Sequence, residues 1–239
     1  MEKIKFSAAG DQGIMMEFGT EIKIETNRKI RAMVDRLQQR KEVVELIPTF
    51  CSLLVLYDCR KASYEKIKKL LLQEVGFLKE GEKGRRIVHK IPVCYEREYG
   101  GDLPFVATYT GFGEEEIIAL HSGREYFIYM LGFLPGFAYL GGMDERLICP
   151  RLESPRVKIP AGSVGIGGEQ TGIYPLESPG GWRLIGRTPI RPYQPNGIPT
   201  ILYQMGEYIM FDPITATEYA DIERKVEQGT YHHQILEYE

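Results

Sequence analysis

Apolar residues recur at helical spacing in two stretches of the first part of the chain. Between Thr26 and Arg40, Ile30, Met33, Val34 and Leu37 fall at i, i+3, i+4 and i+7. Between Ser63 and Val75, Ile67, Leu70, Leu71 and Val75 share one face. Lys3 to Ala8 and Gly13 to Phe18 are short enough to be strands on either side of the turn Gly10-Asp11-Gln12. Val43 to Ile47 and Leu53 to Tyr57 are apolar runs rich in Val, Ile and Leu, and also predict strands. Two helices against a small sheet predict an α+β sandwich of ferredoxin-like type. The polar, glycine-bearing run from Lys79 to Arg86 reads as a linker, which divides the chain into domains 1–85 and 86–239.

Beyond that run the pattern changes. Arg86 to Val93 opens as a strand; Asp102 then stands as a helix N-cap, with Pro104 in the first turn and Gly111 as the stop. Glu114 to His121 is a short helix with Ile117 and Ile118 inward, and its three leading glutamates suit the positive end of the helix dipole. Tyr126 to Leu131 begins a series of short β segments, separated by Gly and Pro turns, that runs to Ile209–Phe211. Such a series predicts a closed or nearly closed β-barrel. Thr215-x-x-Glu218 is a capping box for a final helix ending near Gly229.

Composition narrows the function classes. A net charge of −3 gives no basic footprint for nucleic acid. Four cysteines without CxxC or metal-ligand spacing read as small buried hydrophobes, and no metal site is expected. Without a signal-like N-terminus or a long apolar run, the expected setting is cytoplasmic, with no membrane partner.

Chemistry concentrates between Gly132 and Thr188. That stretch holds 12 of the 26 glycines, too many for ordinary loops, together with the only tryptophan, Trp182. The glycines are interleaved with Arg, Pro and aromatic residues, so the segment reads as tight turns between short strands rather than a flexible linker. Arg151 and Arg156 flank Pro155, and Arg156 and Lys158 point the same way on an extended segment. Guanidiniums present donor forks that suit carboxylate or phosphate, so these residues are candidates for an anion-binding wall. Arg183 and Arg187 are expected to share one side of their strand. Pro160 to Gly168 lacks the Gly-Lys-Ser/Thr ending of a phosphate loop and reads as a turn into a strand, with Ser163 as a possible donor or nucleophile. His121 either interacts with the end of its own helix or serves as an acid or base. Phe133, Phe137 and Tyr139 read as core; Trp182 is either core or a pocket wall.

Five ordered motifs carry a resemblance over nearly the whole chain. They are Gly132-Phe-x-Pro-Gly-Phe-x-Tyr-Leu140, Pro150-Arg-x-x-x-Pro-Arg156, Pro160-Ala-Gly-Ser-Val164, Gln170-Thr-Gly-Ile-Tyr-Pro175 and Ser178-Pro-Gly-Gly-Trp182. The chain resembles the 5-oxoprolinase B subunit family, also called the allophanate hydrolase subunit 1 or kinase A inhibitor family. The resemblance implies a cyclophilin-like barrel after the N-terminal domain. It implies a protein that works with a homologous C subunit, plus an A subunit, in ATP-dependent opening of 5-oxo-L-proline to L-glutamate. ATP, with Mg, would be a co-substrate of the complex; no tightly bound cofactor is expected, and the chain alone is expected to be inactive. The same family covers inhibition of a sensor histidine kinase through its dimerisation helices, and subunits of allophanate- or urea-degrading hydrolases. It implies a cleft with His121, Arg151, Arg156 and Ser163 as catalytic candidates. Lys158, Gln170, Tyr174, Trp182 and Arg187 are the substrate-binding candidates. On this reading, losing Arg156 should cost activity rather than stability.

Overall fold

The computed structural model describes residues 4–78 and 85–238, which divide into two compact units, Met1–Gly84 and Arg85–Glu239. Most of the expected linker, 79–84, lies outside the described residues.

In the first unit, β1 (Lys5–Ala9) and β2 (Gly13–Glu17) form a hairpin, followed by α1 (Ile24–Leu37), β3 (Val43–Pro48), β4 (Ser52–Tyr57) and α2 (Tyr64–Val75). The antiparallel sheet has the order β1-β2-β4-β3. Alternation puts Ile14 and Met16 of β2 and Leu53, Val55 and Tyr57 of β4 into the core with Ile30, Met33 and Leu37 of α1 and Ile67 and Leu71 of α2. The α+β expectation therefore stands, but the ferredoxin-like detail does not. That arrangement runs β-α-β-β-α-β, whereas here the tight turn at Gly10 pairs the first two strands before any helix intervenes. The ion pairs of the buried Glu74 with Arg36 (2.7 Å) and with Arg40 tie α2 to the end of α1.

The second unit opens with β5 (Arg86–Cys94), α3 (Leu103–Thr110), α4 (Glu114–Ser122), β6 (Glu125–Leu131) and β7 (Ala138–Gly141). It continues through β8 (Arg156–Ile159), β9 (Ser163–Gly167), β10 (Gln170–Ile173), β11 (Ser178–Gly180) and β12 (Arg183–Arg187). It ends with β13 (Tyr208–Ile214), α5 (Ala216–Glu227) and β14 (Ile235–Tyr238). Eight strands form one sheet in the path β10-β9-β12-β5-β13-β6-β7, with β14 added to β5. The two ends of the path approach each other, since a Cβ on Gly172 of β10 would lie 3.3 Å from the Ala138 carbonyl of β7. The result is a nearly closed barrel filled by Val93, Tyr126, Ile128, Val164, Ile166, Ile173, Ile185, Ile209 and Phe211. The hairpin-like pair β8 and β11 lies outside this path.

Two capping expectations fare differently. Thr215 and Glu218 form the reciprocal capping box that starts α5. Asp102 precedes α3 but its side chain does not cap it. Its carboxylate is drawn instead to a charged partner, Arg156, and to the backbone N–H of Leu184, because a charge-assisted hydrogen bond outweighs a neutral cap.

The chain end returns to the barrel through a line of polar groups. His233 Nε2 lies 2.9 Å from His89 Nδ1, and His89 Nε2 lies 2.9 Å from Glu207 Oε2. Burial, and then the neighbouring His89 and His232, hold the His233 imidazole down to about 4. Undocked, His233 would take up its proton near pH 6.5, so as pH falls the undocked form gains the proton first. Docking of β14 is therefore complete above about 6.5 and weakens down to about pH 4, by up to about 1 kcal/mol per pH unit after solvent screening. Hydrogen exchange at Leu236 and Glu237, corrected for the intrinsic pH effect, should accelerate between pH 6.5 and 5 in wild type. It should stay flat in His233→Gln. A flat wild-type profile would refute the linkage.

Candidate functional site

The register of β9, β10 and β12 sorts the Gly132–Thr188 segment into two faces. Gly167 pairs with Gln170, Ile166 with Thr171, Gly165 with Gly172 and Val164 with Ile173. Directly opposed residues point to the same side of a sheet. Val164, Ile166, Thr171 and Ile173 therefore face the barrel core, and Ser163, Gly165, Gly167, Gln170 and Gly172 face outward. Three of those outward positions are glycine, which leaves a flat floor. Trp182 lies on it: a Cβ on Gly167 would come within 2.2 Å of the Trp182 ring, one on Gly172 within 3.2 Å of it, and one on Gly165 within 3.2 Å of the Trp182 Cβ. The indole is only 6% exposed.

Phe137, Tyr174 and Ile159 complete a second apolar cluster on this face. Phe137 meets Trp182 edge-on at 5.6 Å and Tyr174 at 5.7 Å, the arrangement that aromatic quadrupoles favour. Burial pushes the Tyr174 phenol up, opposed by a hydrogen bond with the Trp182 backbone and by the charges of Arg151 and Arg156. Phe137 is thus core as expected, but Phe133 is not. It is 64% exposed and stands on a left-handed backbone (φ 65°) in the β6–β7 turn.

The candidate charges separate by partner. Arg151 is exposed and sits above Trp182, its guanidinium 5.9 Å from the ring centroid. Lys158 is exposed and paired with Glu177 at 2.9 Å. Arg156 is committed to the scaffold: it donates to Asp102 Oδ1 at 2.8 Å and to the Trp182 carbonyl at 3.3 Å. One terminal nitrogen of Arg156 is thus given to the Asp102 carboxylate and the other to the Trp182 carbonyl, which ties this side chain to the scaffold beside the aromatic cluster. A bulge in β12 between Leu184 and Gly186 corrects an expectation. Arg183 pairs with the core-facing Ile166 and Arg187 with the outward-facing Ser163, so the extra residue separates the two arginines onto different sides. Arg183 lies over Phe105 at 3.5 Å and donates to the Pro150 carbonyl at 3.2 Å.

His121 is also a correction. It is 0% exposed, on the core side of the sheet, and stacks on Phe211 at 4.4 Å. The Thr171 hydroxyl donates to the Gly165 carbonyl at 3.1 Å, so it accepts from His121 Nε2–H at 2.8 Å. The Tyr95 hydroxyl then donates to Nδ1 at 2.8 Å. Burial, aided by Arg124, pushes the imidazole down to about 3. A neutral, doubly hydrogen-bonded ring in the core locks α4 to β10; it does not reach the outer face to move a proton.

Ser163 is 0% exposed, and among the described residues neither its Oγ nor the buried Nε of Arg187 has a hydrogen-bond partner. A buried donor left unpaired costs about 1–3 kcal/mol. The outer face thus brings together Trp182, Tyr174, Gln170, Arg151, Ser163 and Arg187. It sets aside His121, Arg156 and Lys158. Sequence reasoning gave Asp102 to a helix cap and missed its pairing with Arg156, and it missed the role of Gly165, Gly167 and Gly172 as the floor. The glycine spacing Gly165-x-Gly167 was the available signal, because alternation puts both on one face.

Comparisons with known proteins place the chain in a family. The family described as "Carboxyltransferase domain, subdomain C and D" matches residues 4–203. The chain is 39% identical over 222 residues to the 5-oxoprolinase B subunit of Bacillus subtilis, covering 88% of this chain and 92% of that protein. It is 36% identical over 214 residues to the 5-oxoprolinase B subunit of Escherichia coli O157:H7, covering 89% and 97%. The crystal structure of TTHA0988 superposes with a TM-score of 0.77 at 35% identity, covering 86% of this chain and 40% of that one. The motifs from Gly132 to Thr188 lie within the matched residues, and both B subunits are spanned almost end to end, so the chain belongs to the 5-oxoprolinase B subunit family.

Proposed function

We propose that this chain is the B subunit of an ATP-dependent 5-oxoprolinase, opening 5-oxo-L-proline to L-glutamate together with its A and C subunits. The identity to the Bacillus subtilis protein over 92% of its length carries this reading. The geometry supports it at the level of chemistry. A glycine-floored aromatic face offers an apolar seat for a small ring, and Arg151 and Arg187 at its rim have no acidic partner among the described residues. Phosphorylation of the lactam oxygen by ATP would make the ring carbonyl open to water. This chain's part would be to bind and orient: Trp182 and Tyr174 against the ring, Arg151 and Arg187 towards negative charge, Gln170 as a hydrogen-bonding group. The 160–168 stretch forms β9 and its flanking turns and does not lead into a helix, so it offers no nucleotide cradle. ATP and Mg are taken as co-substrates of the assembled complex, as the family resemblance implies, and the second unit is read as the cyclophilin-like barrel that the family implies.

The test is glutamate release from 5-oxoproline by this chain mixed with its cognate A and C subunits, each omitted in turn. Turnover should require all three, and the chain alone should show none. Turnover that persists without this chain, in a mixture where the complex forms, would overturn the reading. Sensor-kinase autophosphorylation would then be the next assay.

A further inference from the structure

Two half-buried arginines of the second unit are matched with carboxylates, Arg124 with Asp144 and Arg156 with Asp102, while Arg183 is held by the Phe105 ring and the Pro150 carbonyl. Arg187 has neither a carboxylate nor a carbonyl partner among the described residues. Among the described residues its guanidinium meets the Tyr99 ring, 5.6 Å from the guanidinium carbon, and its Nε is buried without an acceptor. Ser163, directly opposite Arg187 in the β9–β12 ladder, holds a second buried donor that has no acceptor among the described residues. Residues opposed in this way carry their side chains next to one another on the same face. The turn before Ser163 closes over the pair: Gly162 has φ +82°, and a Cβ there would sit 3.4 Å from Arg187 Cγ and 2.3 Å from the Thr188 carbonyl. A larger residue would push this turn away from Arg187. Tyr99, in turn, is held by Tyr219 of α5 at a ring separation of 4.4 Å.

One cation and one hydroxyl on the same face, neither with a hydrogen-bond partner for these atoms among the described residues, form half of an anion site. The Nε edge of a guanidinium suits a two-oxygen anion, and a serine hydroxyl can add a third hydrogen bond to it. We propose that Ser163 Oγ and Arg187 form an oxyanion subsite for a two-oxygen anion, either the substrate's carboxylate or a transferred phosphoryl group. Entry requires the guanidinium to lift from the Tyr99 ring and uncover Ser163. The proposal rests on the B-subunit reading for the identity of the anion, but not for the existence of the site.

Initial-rate kinetics of the assembled complex carrying Arg187→Gln, Arg187→Lys or Ser163→Ala test it. With ATP saturating, Arg187→Gln should raise the KM for 5-oxoproline roughly 10- to 100-fold, with smaller effects from the other two. Inhibition by 2-pyrrolidinone, the same lactam without a carboxylate, should not change. A rise in the KM for ATP instead would assign the subsite to the phosphoryl group. Both KM values unchanged in all three variants, in a complex whose turnover still requires this chain, would overturn the subsite and leave the B-subunit reading intact. A second measurement is independent of turnover. The Arg187 Nε–H nuclear magnetic resonance signal of the isolated chain is followed during addition of 5-oxoproline, inorganic phosphate or 2-pyrrolidinone. The anions should shift it and the neutral lactam should not; no difference among the three would also overturn the proposal.

Discussion

Replacing Gly167 with alanine should unseat Trp182 and destabilise the barrel by about 2–3 kcal/mol. The added Cβ would lie 2.2 Å from Trp182 Cδ1, 2.4 Å from Nε1 and 2.7 Å from Cγ, closer than carbon atoms can approach. The indole cannot slide aside cheaply, since Phe137 and Tyr174 hold it edge-on at 5.6 and 6.0 Å. Either the ring leaves its seat or β9 moves away from β12, and both open the cluster to water. Trp182 is the only tryptophan, so its fluorescence reports this without labelling. The expected result is a red-shifted emission, a lower urea midpoint and a complex with little turnover. Gly168→Ala is the control. Gly168 has φ +66° with nothing within 4 Å of the added carbon, so its cost is the backbone penalty of about 1 kcal/mol, and the emission should stay in place. Wild-type emission and stability in Gly167→Ala would show that the glycine floor does not fix the tryptophan.

That floor illustrates what could be read from the residues alone and what could not. Helix positions were legible because their signals are local. The Ile30-Met33-Val34-Leu37 stripe lies within α1, the Ile67-Leu70-Leu71-Val75 face within α2, and Thr215 with Glu218 starts α5. The strands of the first unit were legible too, including the turn at Gly10 that makes β1 and β2 a hairpin. Which edges then pair is a property of distant residues, and the order β1-β2-β4-β3 is not written in any one periodicity. The site behaved in the same way. Arginine, tryptophan and glycine marked the right segment, but sidedness depended on the bulge in β12, which no turn residue announces. His121 looked like a site residue because a histidine at a helix end has a local explanation on either reading. Its actual partners, Tyr95 and Thr171, come from the end of β5 and from β10 and are visible only once the barrel closes.

Arg151 and Arg156, five positions apart in one motif, should behave as different kinds of residue when each is replaced by alanine. Arg156→Ala leaves the Asp102 carboxylate, only 12% exposed, with the Leu184 N–H as its remaining partner. Breaking a buried pair by removing one member costs about 3–5 kcal/mol, and the part-exposed guanidinium lowers this to about 2–3 kcal/mol. The pair spans the start of α3, β8 and β12, so its loss should loosen the strand that carries Arg187 as well. Arg156→Met combined with Asp102→Asn removes both charges and should recover part of the loss, giving a coupling well beyond additivity in a double-mutant cycle. Arg151→Ala removes an exposed side chain that lies over the Trp182 ring; its stability should stay within about 0.5 kcal/mol of wild type while turnover of the complex falls. Denaturant titration of the isolated chains and turnover of the reconstituted complexes separate the two effects. A fully stable Arg156→Ala chain without turnover would return Arg156 to the ligand-binding face and make Asp102 its orienting partner. A destabilised chain whose double variant recovers fixes the pair as the clamp that holds the aromatic face against the barrel, and leaves ligand charge to Arg151 and Arg187.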